Sequence, residues 1–107
     1  MIAAALIGSA FALTPTVTYA VDAYAYTDKM NQTYWVDTDS IRAGGRFMHV
    51  VVKKVGRDEY GQFISSEKIY FHEGAAGMFY EDKKGLPHLI QTNPLAANVY
   101  AVCKQYL

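Results

Sequence analysis

Charge of either sign is in no excess, cysteine occurs once, no apolar run is long enough to cross a bilayer, and no histidine or cysteine falls at metal-binding spacing. Each absence removes a class of function. Ten basic residues cancel ten acidic ones, so the basic stripe of a nucleic-acid partner is missing. Lys53-Lys54 and the run Asp82 to Lys84 are short and countered by neighbouring acids. A lone Cys103 cannot close an intramolecular disulfide, unlike the staples of many small exported domains. No HExxH spacing exists and no cysteine lies near a histidine, so His49, His72 and His88 read as ordinary strand histidines. A site assembled across strands from His49, His72 and Glu73 is the one zinc arrangement left open.

What is present begins with an uncharged stretch, Met1 to Ala20. Its Ala/Leu/Ile/Phe content and its small residues at Thr18 and Ala20 are those of a signal peptide cut after Ala20. The basic residue that should open such a peptide is absent, and a start further upstream would supply it. The alternative is a buried helix over residues 2–13. A membrane span is disfavoured further, because the apolar run ends before Thr14-Pro15, much shorter than the roughly 20 residues a bilayer requires.

From Val21 the pattern is that of a single α+β domain, residues 21–107: an antiparallel sheet of about five strands with a C-terminal helix packed on one face. "VDAYAYTD", residues 21–28, alternates Tyr24 and Tyr26 against Ala23 and Ala25. Asn31-Gln32 turns the chain into a second strand at Thr33 to Asp37. Gly44-Gly45 marks a turn, and since a β-rich run follows it, no phosphate loop is formed. In that run Met48, Val50 and Val52 face one way and Phe47, His49, Val51 and Lys53 the other. "GRDEYGQ", residues 56–62, reads as a charged hairpin connection. Strands follow at Phe63 to His72 and Met78 to Asp82, with a brief edge strand at His88 to Ile90.

The end of the chain is the clearest element. Asn93 is an N-cap, Pro94 occupies the first helical position, and Leu95, Val99, Val102, Cys103 and Tyr106 draw one apolar stripe along a helix of about thirteen residues. A helix of that length needs docking to persist. Cys103 lies in the stripe and reads as a small buried hydrophobe.

Asp37 and Asp39 in "YWVDTDSI" could hold a metal or act as an acid and base, but no calcium-loop pattern follows. The favoured reading is that "DTDS" ends the strand, its Asp and Ser side chains taking up free backbone N–H groups. Ser65-Ser66 lacks a nucleophile-elbow pattern. The remaining signal is aromatic: nine tyrosines and one tryptophan in 107 residues. Tyr24, Tyr26, Tyr34 and Trp35 are the candidate binding patch, lining the sheet face opposite the helix for protein or glycan contact. The competing arrangement places Tyr24, Tyr26 and Tyr70 beneath the helix as core.

A signal-like start, "YWVDTDSI", a glycine turn, "FMHVVVKKV", "KIYF", "MFYE" and a closing helix with "VYAVCKQYL" resemble, in that order, small bacterial exported proteins of the surface-adhesin E type. The shared box comprises Tyr34, Trp35, Asp37, Ser40 and Ile41. The resemblance implies an antiparallel sheet against a helix, displayed at the cell envelope, and contact with host matrix and serum proteins. This chain departs from it in lacking a lipid-attachment cysteine near its start. The expectation is a non-catalytic exported or cell-envelope domain without cofactor or metal, binding a host or envelope protein. The alternatives are an assembly module that forms a homodimer through a sheet edge or aromatic face, and a small metal-dependent hydrolase.

Overall fold

The computed structural model describes residues 22–107. The signal-peptide reading of residues 1–20 lies outside them.

Seven strands form one antiparallel sheet. They are β1 (Asp22–Thr27), β2 (Thr33–Asp37), β3 (Arg42–Gly44), β4 (Phe47–Asp58), β5 (Gly61–Gly74), β6 (Gly77–Glu81) and β7 (Pro87–Leu89), followed by the helix α1 (Pro94–Lys104). The spatial order is β1-β2-β4-β5-β6-β7, with β3 also paired to β4. Short 3-10 turns occupy Thr38–Ser40 and Ile90–Thr92. The domain measures 48 × 42 × 18 Å. That small third dimension is the thickness of one sheet and one helix, about 10 Å per layer contact.

The centre of the sheet follows from period-2 patterning. Met48 and Val50 of β4 are buried beside their partners on β5, Phe71 and Ile69, and Val52 is buried with them. Val36 on β2 and Ala25 on β1 complete the sheet's share of the core. Against them α1 lays Ala96, Val99 and Cys103, all buried, with Leu95, Tyr100 and Val102 at the margin. The helix starts as its sequence dictates: the Asn93 side-chain Oδ1 accepts from Leu95 N and Ala96 N at 3.0 and 3.2 Å, and Pro94 sits where a missing N–H costs nothing. It is eleven residues long, shorter than the stripe suggests, and Tyr106 lies beyond it, exposed.

Three local features differ from the sequence expectation. The β4–β5 hairpin continues to Arg57↔Gln62 and Asp58↔Gly61, so only Glu59-Tyr60 forms the turn. Charged residues belong there because both faces of the hairpin end are exposed, and the turn closes as Asp58 Oδ1 accepts from Tyr60 N at 2.8 Å. The three-residue β3 is an additional strand, made of Arg, Ala and Gly with no apolar pattern to announce it. The third is a bulge in β1 between Tyr24 and Tyr26. One extra residue in a strand moves everything beyond it to the opposite face.

Candidate functional site

α1 covers one side of the sheet and nothing covers the other among the described residues. Register identifies which side chains lie on the open side. Tyr24 pairs with Trp35, Trp35 with Lys53, Lys53 with Ser66, and Val55 with Ile64, and cross-strand partners share a face. Since Val52 and Val50 point to the helix, Lys53, Val55 and Val51 point away from it.

The candidate patch is split between the two faces: the bulge separates Tyr26 from Tyr24, and alternation along β2 separates Tyr34 from Trp35. Tyr24 and Trp35 lie on the open face, with ring centroids 5.5 Å apart in an edge-to-face arrangement. Tyr26 and Tyr34 face the helix side and pack at the margin of the core, 5.9 Å apart. The competing arrangement fails for Tyr24 and Tyr70, which are 52 % and 46 % exposed, and holds for Tyr26 alone of its three members. Tyr34 also serves the β1–β2 turn, where its hydroxyl donates to Asp28 Oδ2 at 3.0 Å. Asp28 Oδ1 accepts from Met30 N and Gln32 N, with Asn31 at φ +62°. Desolvation pushes the Tyr34 hydroxyl up to about 12, and the Asp28 carboxylate adds to the rise. For Asp28 desolvation acts upward too, but hydrogen bonds from Gln32, Tyr34 and Met30 outweigh it and hold the carboxyl below its ordinary range.

Around Trp35 the open face forms a shallow cleft of about 440 Å³, lined by Asp22, Trp35, Lys53, Val55, Ile64 and Ser66. Val55 and Ile64 supply an apolar floor, and Ile64 is 66 % exposed. Trp35 Nε1 donates to Thr33 Oγ1 at 2.9 Å, and the Tyr24 hydroxyl is hydrogen bonded to Thr27 Oγ1 at 2.7 Å, so both rings are anchored. Lys53 Nζ lies 3.1 Å from each Asp22 carboxylate oxygen. Val55, Ile64 and Ser66 were missed in the sequence reading because the hairpin register, absent from local periodicity, brings them to Trp35.

The residues with catalytic potential do not converge. Asp37 Oδ1 accepts from Asp39 N at 3.1 Å, capping the 3-10 turn. Ser40 Oγ donates to the Asp37 carbonyl at 2.7 Å and accepts from Val51 N at 2.8 Å. Val51 lies between Val52, the last β4 residue paired to β2, and His49, paired to β3. Its N–H would have no strand partner, and Ser40 supplies one. The two aspartates and the serine therefore build a corner. Ser40→Ala should lower stability by about 1–2 kcal/mol, since it leaves a part-buried N–H unpaired. The denaturation midpoint reads this, and an unchanged midpoint would contradict the assignment.

His72 lies on the open face, and its neighbour Glu73 points to the other side. The His72 ring stacks on Phe79, 5.4 Å away, and its Nδ1 is 3.9 Å from Glu81 Oε2, too far for a hydrogen bond. No group of three or more metal-ligating side chains occurs among the described residues. His88 Nε2 and Asp82 Oδ2 are 2.8 Å apart. That hydrogen bond, with those from the Leu86 and Lys84 amides, holds Asp82 below its ordinary range and closes the β6–β7 turn. A second cleft, of about 380 Å³, lies on the helix side beside Asn93, Tyr80 and Glu67. Its other charged lining residues are Lys68, Glu81, Asp82 and Lys83.

Fold and face together define a small antiparallel α+β domain, one side of whose sheet is free of its own helix. A scan of protein-family models and searches of curated proteins and of solved structures find no match for this chain. No helix among the described residues is long and apolar enough to cross a membrane.

Proposed function

We propose that this protein is a non-catalytic exported or cell-envelope domain that binds a protein or envelope component through the open face of its sheet. The observation that carries this reading is the anchored aromatic pair Tyr24 and Trp35 beside the exposed Ile64, on a face that no other described residues cover. Apolar and aromatic surface grouped in this way, with polar groups at its rim, is what binding surfaces use. The resemblance to the surface-adhesin E type supports export and envelope display. Assembly between copies is the second reading, favoured by β1, a six-residue strand at the edge of the sheet.

Immobilised matrix and serum proteins and isolated peptidoglycan, each titrated with the native protein and with Ile64→Asp, test the reading. Saturable binding by the native chain, weakened at least tenfold by the substitution, is the expected result. Binding that ignores Ile64→Asp would refute the assignment of the face. Light scattering of the same samples decides the assembly reading, which expects a dimer mass.

A further inference from the structure

We propose that the Trp35 cleft takes a neutral glycan, a pyranose oligosaccharide laid along the open face; this rests on the reading of that face as a binding surface. Three features of the cleft select this chemistry. The first is the platform. Trp35 has its only side-chain donor committed to Thr33, so what it offers a ligand is its ring, set at a steep angle to the Tyr24 ring 5.5 Å away. The C–H face of a pyranose gains dispersion contact on such a ring and meets its negative π-face with weakly positive hydrogens.

The second is the polar rim. Asp22 is an acceptor, Lys53 a donor, and the Ser66 hydroxyl both. Sugar hydroxyls are themselves donors and acceptors, and a rim of mixed character satisfies them where a rim of one kind would not. The Lys53 and Asp22 side chains are 32 % and 36 % exposed, so their remaining hydrogen-bonding positions are open to a ligand.

The third is charge. Lys53 engages both oxygens of Asp22 at 3.1 Å, so the pair presents a dipole and no net charge. An anionic ligand must compete with Asp22 for Lys53, and a cationic one with Lys53 for Asp22. A hydrocarbon chain over the pair would strip water from two charged groups and replace it with nothing. A neutral polyhydroxylated ring avoids all three costs. At about 440 Å³ the shallow cleft is within the roughly 300–1,000 Å³ range of small-ligand sites.

Trp35 is the sole tryptophan, so its emission reports the cleft directly. The intact protein is titrated with the neutral tetrasaccharides chitotetraose, cellotetraose and maltotetraose, and with the charged tetragalacturonate and tetraglucosamine. The expected result is a saturable change in emission with at least one neutral sugar and weaker binding of both charged ones. Ser66→Arg, at an exposed position where folding is not at stake, should reduce the affinity at least tenfold by filling the cleft, and Asp22→Ala several-fold by removing its acceptor. Absence of saturation by every neutral sugar up to about 10 mM, weaker than any affinity a built site should give, would overturn the glycan assignment. So would binding that Ser66→Arg leaves intact. If sugars fail while a matrix protein or peptidoglycan still binds in a manner sensitive to Ile64→Asp, the glycan inference falls and the binding face stands; if both fail, both fall.

Discussion

Val99→Asp should leave the domain unfolded at room temperature. Val99 is 0 % exposed and sits at the centre of the α1 face that packs on Val36, Val50 and Phe71. The substitution removes about 1.5–3 kcal/mol of apolar burial. It also places a carboxylate where no buried polar or charged side chain exists among the described residues to receive it, at a cost of several kcal/mol more. Small domains hold only about 5–15 kcal/mol in total. Here the margin is narrow, since among the described residues one helix covers one face of the sheet and ten apolar residues are buried. The control is Ala101→Asp, two residues along on the exposed side of the same helix, which should change stability by about 0.5 kcal/mol or less. Circular dichroism and denaturant titration of both variants distinguish a docked helix from an appended one. If Val99→Asp folds as well as Ala101→Asp, the helix does not pack as described.

Cys103 should be strongly protected from thiol reagents. It is 0 % exposed, in the face α1 presents to the sheet. Burial pushes its thiol up to about 11. At pH 8 such a thiol is ionised in about one molecule in a thousand, against about one in four for an unperturbed cysteine. Ionisation alone therefore slows labelling about two hundredfold, and burial slows it further. Labelling with a chromogenic disulfide should be at least a hundredfold slower than for an unfolded control and become fast through the guanidinium transition. Rapid stoichiometric labelling of the native protein would place Cys103 outside the core. The same shift carries a sign for stability. A thiol whose folded pKa is raised contributes fully below its unfolded pKa, near 8.5, and loses that contribution as pH rises towards 11. Tyr34, pushed up to about 12, acts in the same direction from about pH 10 upward. The domain should therefore weaken at alkaline pH.

The parts of the fold that were legible in the sequence are those where one physical signal dominates. Met48, Val50 and Val52 alternate so regularly that β4 and its two faces could be read directly, and Asn93-Pro94 with the following stripe announces α1. The corner at Asp37 to Ser40 was legible as a strand end, though the pairing of Ser40 with Val51 required the gap between β2 and β3 to be seen. The β1 bulge was not legible. In "DAYAYT" either alternation or a slip satisfies local preference, and the choice is made by what buries Ala25 and Tyr26 under α1. β3 carries no apolar content, and the hairpin end was mistaken for a loop because its charges face solvent on both sides.

The candidate site suffers most from this. Tyr24 and Trp35 could be singled out as aromatic residues on one strand pair, but the β1 bulge sends Tyr26 to the other face, and Tyr34, next to Trp35 on β2, lies there by ordinary alternation. Val55, Ile64 and Ser66 come to Trp35 through pairings fixed by a two-residue turn at Glu59-Tyr60. Placing that turn correctly would have predicted Val55 opposite Ile64 and Lys53 opposite Ser66. Ile64, an isolated apolar residue amid polar neighbours, was the visible signal.

Hydroxyl-radical footprinting of the purified protein, read residue by residue by mass spectrometry, tests most directly whether the sheet has one covered face and one working face. The account expects Tyr24, Phe47, Ile64 and Tyr70 to be modified at rates near those of the unfolded chain, and Phe71 and Met48 to be protected at least tenfold. Phe47 is the sharpest probe, 68 % exposed and one residue from the buried Met48. Open-face residues as protected as Phe71 would contradict the account, because the face assigned to binding would then be interior.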